Sequence, residues 1–190
     1  GETFPTGHKG DAYIDSISLN IWFTSILANK SIAGVRTEDI TRLIKLAEKR
    51  FGGKDIYALA KEEMAPVLLH AAAFNESIKK VALVRPYVSY SSIVLNRYYD
   101  LKYIYNGIPG ALREYDLPDL GACLAPRDLL MINITDGTGN LLKENKLTEE
   151  LAIIRSAFKF NDAENQLIIK NSPGKLNFFE LYKAWIDAMD

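Results

Sequence analysis

The chain has 190 residues, a net charge of −1 and 25% charged residues, the profile of one ordinary globular domain with room for a real core. Charges of both signs are scattered, so no basic stripe speaks for nucleic acid, and no apolar stretch approaches the roughly 20 residues of a membrane helix. One cysteine (Cys123) and two histidines (His8 and His70) exclude an intrachain disulfide, a thiolate cluster and a histidine-rich metal centre, and no cofactor is expected.

Residues 1–12 (GETFPTGHKGDA) are rich in Gly, Thr and Pro and read as loop. Ile14–Leu27 carries apolar residues at helical spacing, so 1–33 reads as an N-terminal loop and helix before a domain over 34–190. Thr37 is placed to cap a helix over Glu38–Phe51, with Glu38 and Asp39 in its first turn and Lys49 and Arg50 in its last, as the helix dipole favours. Gly52 and Gly53 end it. From there strands and helices alternate. Asp55–Ala60 (DIYALA) reads as a strand and Glu63–Ala73 (EMAPVLLHAAA) as a helix, with His70 on that helix in a structural role. Strand Lys80–Val84 ends at Arg85 and Pro86. The excursion 87–125 is rich in tyrosine, with Tyr87, Tyr90, Tyr98, Tyr99, Tyr103, Tyr105 and Tyr115. It is predicted to hold helices near 89–97 and 117–124, the second capped by Asp116, with Cys123 as a small core residue. Strand Asp128–Ile134 leads to the loop Thr135–Asn140 (TDGTGN). A helix over 149–160, capped by Thr148, precedes strand Gln166–Lys170, the loop Asn171–Lys175 and a last helix over Asn177–Ala188.

Four short apolar strands alternating with helices predict an α/β fold, a three-layer α/β/α sandwich with a short, mostly parallel sheet. Ligand sites in such sheets gather at the carboxyl ends of the strands. Here those ends are Lys61–Glu63, Arg85–Tyr90, Thr135–Asn140 and Asn171–Lys175. Ala60–Met64 (AKEEM) joins strand to helix in the place where a serine hydrolase carries Gly-x-Ser-x-Gly on a strained turn. Glu62 stands at the serine position, and Ala60 and Met64 stand at the glycine positions.

Over about residues 34–190 the chain resembles the C-terminal half of an α/β-hydrolase, nearest to acetyl xylan esterase-like and prolyl-oligopeptidase-like carbohydrate esterases. Gly34–Ile40 (GVRTEDI) is similar to the start of the helix before the nucleophile strand, and Leu69–Ala73 (LHAAA) to the helix after it. Ile108–Leu112 (IPGAL), Tyr115–Leu120 (YDLPDL) and Leu124–Arg127 (LAPR) resemble the approach to the strand that carries the triad acid. The resemblance places Asp136 at the acid position. It also places a histidine near Gly174 or Lys175, where this sequence has none. The family's front half, with its early strands and oxyanion loop, has no counterpart among the residues before 34.

Two readings follow. In the first, this is a catalytically degenerate hydrolase-like domain, a binding or structural module in carbohydrate processing, with a secreted or periplasmic setting implied by the resemblance alone. In the second, it is a carbohydrate esterase whose activity needs an absent N-terminal part or a site built on Glu62 and Asp136. Asp136 also suits a plain turn role, because Thr-Asp-Gly-Thr-Gly is turn chemistry. Arg85, Tyr87, Ser89, Tyr90 and Lys175 are the candidate residues for a carbohydrate ligand. The tyrosines offer flat apolar faces with a hydroxyl at the rim. A half sheet would leave strand 55–60 with an open edge, which invites pairing. That edge is expected to be covered by segment 1–33, by a second copy in a homodimer, or by an N-terminal part of a parent protein.

Overall fold

The computed structural model describes residues 13–14, 17–172 and 178–187. A two-residue antiparallel ribbon, β1 (Tyr13–Ile14) and β2 (Ile17–Ser18), runs into helix α1 (Leu19–Leu27). Helix α2 (Ile32–Phe51) follows. The main sheet comprises β3 (Ile56–Lys61), β4 (Ile78–Val84), β5 (Asp128–Ile132) and β6 (Leu167–Lys170). Its spatial order is the chain order, and every neighbouring pair is parallel. Helix α3 (Ala65–Ala73) links β3 to β4. Two short helices, α4 (Tyr90–Val94) and α5 (Leu117–Ala122), lie in the long excursion before β5. Helices α6 (Glu144–Glu150) and α7 (Ala152–Phe160) link β5 to β6, and α8 (Phe178–Asp187) follows β6.

The result is a small α/β sandwich. On one face, Ile78, Val81, Leu83, Leu129 and Met131 pack with side chains of α2, α3, α5 and α7 in a single apolar cluster. On the other, Ala82, Val84, Leu130 and Ile132 meet Trp185 and Tyr182 of α8. Strand residues alternate between these faces because the side-chain period is two. Helix α3 is apolar nearly all round and buried along almost its whole length, as befits a helix enclosed between sheet and neighbouring helices. Close packing at α5 depends on Gly121, where a Cβ would come 2.6 Å from Ile154 Cδ1.

Two polar side chains brace the structure. Asp116 caps α5, and its carboxylate also accepts from Tyr90 N–H at 2.6 Å, Ser91 N–H at 3.1 Å and Ser91 O–H at 2.7 Å, which anchors the start of α4. The Arg127 guanidinium donates to the carbonyls of Ala72, Asn75 and Ile78, so one fork ties the end of α3 to the start of β4.

Several boundaries differ from the sequence reading. The segment 14–27 splits into ribbon and helix, and Ser18 caps α1 by accepting from Ile21 N–H. Helix α2 starts six residues before Glu38, capped by Ser31, so Thr37 lies inside it and donates to Ala33 O at 2.8 Å. Thr148 lies inside α6, donating to Glu144 O. Cys123 is exposed at the end of α5 and is not a core residue. Among the described residues of segment 1–33, no strand pairs with the edge of the main sheet. Ser18 and Tyr105 exchange two hydrogen bonds, and Ile21 and Trp22 pack with Ile32, Ile104 and Tyr105. The apolar face of α1 thus meets the excursion, and β3 pairs only with β4 among the described residues. No helix among the described residues is long and apolar enough to cross a membrane.

His70, on α3, is buried between Pro66 O at 2.7 Å and Tyr115 Oη at 2.9 Å. A carbonyl only accepts, so Nδ1 carries the proton and Nε2 accepts from the tyrosine. Burial lowers the His70 pKa below 6.5, outweighing the Pro66 bond that raises it. A histidine depressed in the folded state contributes stability that is fully present above its unfolded pKa and lost as pH falls through its folded one. The unfolding free energy, measured with urea, should therefore decline as pH drops below about 6.5, and His70→Gln should flatten that decline.

Candidate functional site

At the carboxyl edge of the sheet three neighbouring strands end in the same unusual way. Glu62 (φ 48°) follows β3, Arg85 (φ 50°) follows β4 and Asn133 (φ 52°) follows β5. Left-handed backbone at a residue with a side chain costs roughly 1–2 kcal/mol, so each must be held by its surroundings. Arg85 N–H continues the ladder to Ile132 O at 2.7 Å, and Asn133 N–H does so to Lys170 O at 2.8 Å. Asn133 Oδ1 accepts from Ser172 N–H.

Glu62 is held through its side chain. One carboxylate oxygen lies 3.5 Å from Arg85 Nε and the other 3.4 Å from Lys102 Nζ. Lys102 reaches Asp100 at 3.2 Å as well. Burial works against the Lys102 charge, but Asp100, Tyr103 and Glu62 outweigh it and hold its pKa above the ordinary value. Glu62 is thus an acid paired on both oxygens with cations. It is reached by a one-turn 3-10 helix (Glu62–Met64) that leads directly into α3.

Asp136 sits at the next loop but one. Its Oδ1 accepts from Thr138 N–H, Thr138 O–H and Asn140 N–H, an Asx turn closed on itself. Arg85 joins the two carboxylate regions. Its guanidinium also donates to Gly139 O at 3.2 Å, and Gly139 N–H bonds Asp136 O. Gly137 brings this loop against α4 so closely that a Cβ would meet Ser92 O at 2.2 Å.

The remaining candidates fall into different places. Tyr87 is fully buried, its ring 4.5 Å from that of Tyr103. Burial, and then the neighbouring Tyr90, push its hydroxyl well above the usual tyrosine range, so it stays protonated. Ser89 is buried and caps α4 by accepting from Ser92 N–H. Tyr90 packs beside Tyr87 and forms part of the wall of a cleft. Lys175, like His8, lies outside the described residues.

That cleft, about 630 Å³ with a mainly apolar lining, opens between α1 and the excursion. Trp22, Tyr90, Tyr99 and Tyr103 supply its aromatic surface, with Ile93, Ile104 and Ile108 between them. Asn96, Arg97 and Arg113 supply its polar atoms. The 3-10 helix Leu101–Asn106 connects cleft to ion cluster, because Lys102 turns toward Glu62 while the adjacent Tyr103 lines the cleft. Sequence reasoning missed Trp22, Arg97, Lys102 and Arg113. Trp22 is brought in by the Ser18–Tyr105 link, a contact between residues 87 apart that no local pattern announces. No group of three or more His, Cys, Asp or Glu that could hold a metal occurs among the described residues.

The fold and this edge define a small all-parallel α/β sandwich with a strained carboxyl rim. No protein-family model, no curated protein and no solved structure matches the chain.

Substitutions at two positions probe the rim. The Glu62 ion pairs are half exposed and contribute about 0–1 kcal/mol each, close to the backbone cost that glycine would relieve. Glu62→Gly should therefore shift urea-derived stability by no more than about 1 kcal/mol, whereas Glu62→Val, β-branched at positive φ, should destabilise by about 1–3 kcal/mol. Gly137→Ala forces backbone apart; it should lower stability by at least about 1–3 kcal/mol and shift amide resonances from Thr135 to Asn140.

Proposed function

We propose that this chain is an α/β-hydrolase-like module that binds a carbohydrate ligand and does not hydrolyse it. The observation that carries the reading is Glu62, which occupies the strained strand-to-helix turn with each carboxylate oxygen paired to a cation. A nucleophile there would need a free side chain with a base beside it. His70, the one histidine among the described residues, is instead engaged by Pro66 and Tyr115. Further support comes from the in-order parallel sheet and from the turn between β3 and α3, whose left-handed residue matches the strained geometry of a nucleophile elbow.

The ligand belongs in the cleft. Its volume of about 630 Å³ falls in the range of small-molecule sites. Trp22 and Tyr99 offer faces on which the apolar side of a sugar ring stacks, and Asn96, Arg97 and Arg113 offer donors to its hydroxyls. The carbohydrate class itself rests on the resemblance to acetyl xylan esterase-like proteins.

The test has two arms. Hydrolysis of p-nitrophenyl acetate and acetylated xylan by the purified chain should not exceed buffer, nor should it with Glu62→Ala or Asp136→Ala. Turnover that collapses on either substitution would sink the non-hydrolytic reading in favour of a carbohydrate esterase. Titration calorimetry with xylo-oligosaccharides should detect binding, weakened roughly tenfold by Trp22→Ala or Tyr99→Ala. Absence of binding, or binding indifferent to both substitutions, would overturn the assignment of the cleft.

A further inference from the structure

Strand β3 is the outer strand of the sheet, and its second backbone edge has no partner strand among the described residues. Edges of this kind are usually blunted by proline, by a central charge or by extreme shortness. Residues 56–61 have no proline, and their single charge, Lys61, stands at the end. Leu59 is 45% exposed on the face that α8 covers farther along the sheet.

We propose that two copies of the chain pair antiparallel through β3 about a twofold axis at Ala58, joining two four-stranded sheets into one. The segment Asp55–Lys61 (DIYALAK) is self-complementary about that residue. Asp55 faces Lys61 of the second copy, Ile56 faces Ala60, and Tyr57 faces Leu59. Each end of the ribbon then holds an opposite-charge pair. The exposed Leu59 gains an aromatic neighbour on its own face, one of the cross-strand pairings that stabilise sheets. Tyr57 is already steadied by Lys80, whose Nζ lies 6.0 Å from its ring centroid.

Other registers fail for stated reasons. A slip by one residue pairs side chains from opposite faces, so the twofold is lost. It also sets Lys54 against Lys61, or Asp55 against Glu62. A slip by two residues puts Asp55 opposite Leu59 in one direction and opposite Glu63 in the other. Only the register centred on Ala58 matches apolar with apolar and acid with base. This inference does not depend on the ligand or on the absence of hydrolysis.

Sedimentation equilibrium of the intact chain tests it, because Asp55 and Lys61 are exposed and their substitution leaves the core untouched. The wild type should show a reversible monomer–dimer equilibrium. Asp55→Lys alone, or Lys61→Asp alone, sets like charges opposite each other at both ends and should weaken association by roughly tenfold or more. The double variant Asp55→Lys with Lys61→Asp should restore it. In a Cys123→Ser background, Ala58→Cys should form an intermolecular disulfide under mild oxidation. A wild type that stays monomeric at all concentrations overturns the proposal. So does a dimer that ignores the single charge reversals, or an Ala58→Cys chain that fails to cross-link.

Discussion

Three side-chain-bearing residues at positive φ, one at the end of each of three adjacent strands, set the geometry of the whole carboxyl rim. Arg85 and Asn133 keep their N–H groups in the ladder, and beyond them the two segments still pair, Thr135 N–H with Pro86 O and Val88 N–H with Thr135 O. The turn after β3 delivers α3, the turn after β4 launches the tyrosine-rich excursion, and the turn after β5 begins the path to the Asp136 loop. Strain of about 1–3 kcal/mol per residue persists only where the surroundings over-determine it. Here the Glu62–Arg85–Lys102 cluster and the Asn133–Ser172 bond supply that determination. The charges at this rim thus have a structural task whatever else they do.

The excursion is long, and core packing together with hydrogen bonds fastens it along its length. Asp116 fixes the start of α4, Tyr105 fixes the N-terminal segment, and Gly137 lets the Asp136 loop close against α4. The cleft is what remains between these fastenings. Its walls come from α1, from α4 and its following turn, and from the loop 107–113. A concave site assembled from loops over a rigid sheet is the usual division of labour in α/β proteins.

Much of this was legible in the sequence, for physical reasons that also explain the gaps. The four strands stood out because buried parallel strands are continuous apolar runs, as DLLMI of β5 shows. The strand-to-helix turn at Glu62 was legible because the apolar run of β3 ends at Lys61 and Pro66 stands in the first turn of the next helix. Helix starts were less so. Ser31 and Thr37 are both capping residues, and the choice between them is made by Ala33, which packs in the core and draws the first turn of α2 in with it. The break at Leu151 (φ −96°, ψ 9°) between α6 and α7 has no sequence signature, because the buried Leu147, Leu151 and Ile154 keep the spacing of one continuous helix face. The cleft was half visible. Its tyrosines cluster in sequence, but Trp22 and the two arginines reach it through long-range packing that has no local signature.

The in-order sheet has a kinetic meaning. Each strand pairs with the next strand in the chain, so the sheet can grow by adding one crossover at a time, and because closure entropy rises only slowly with loop length, even the long excursion before β5 adds little. The link between Ser18 and Tyr105 spans 87 residues and stands apart from that progression. Its closure spans more chain than any single strand-to-strand crossover. Contacts that form after the folding transition state govern the rate of unfolding and leave the rate of folding nearly unchanged. A link of this kind would make the N-terminal segment a latch on the excursion, one that slows unfolding without speeding folding.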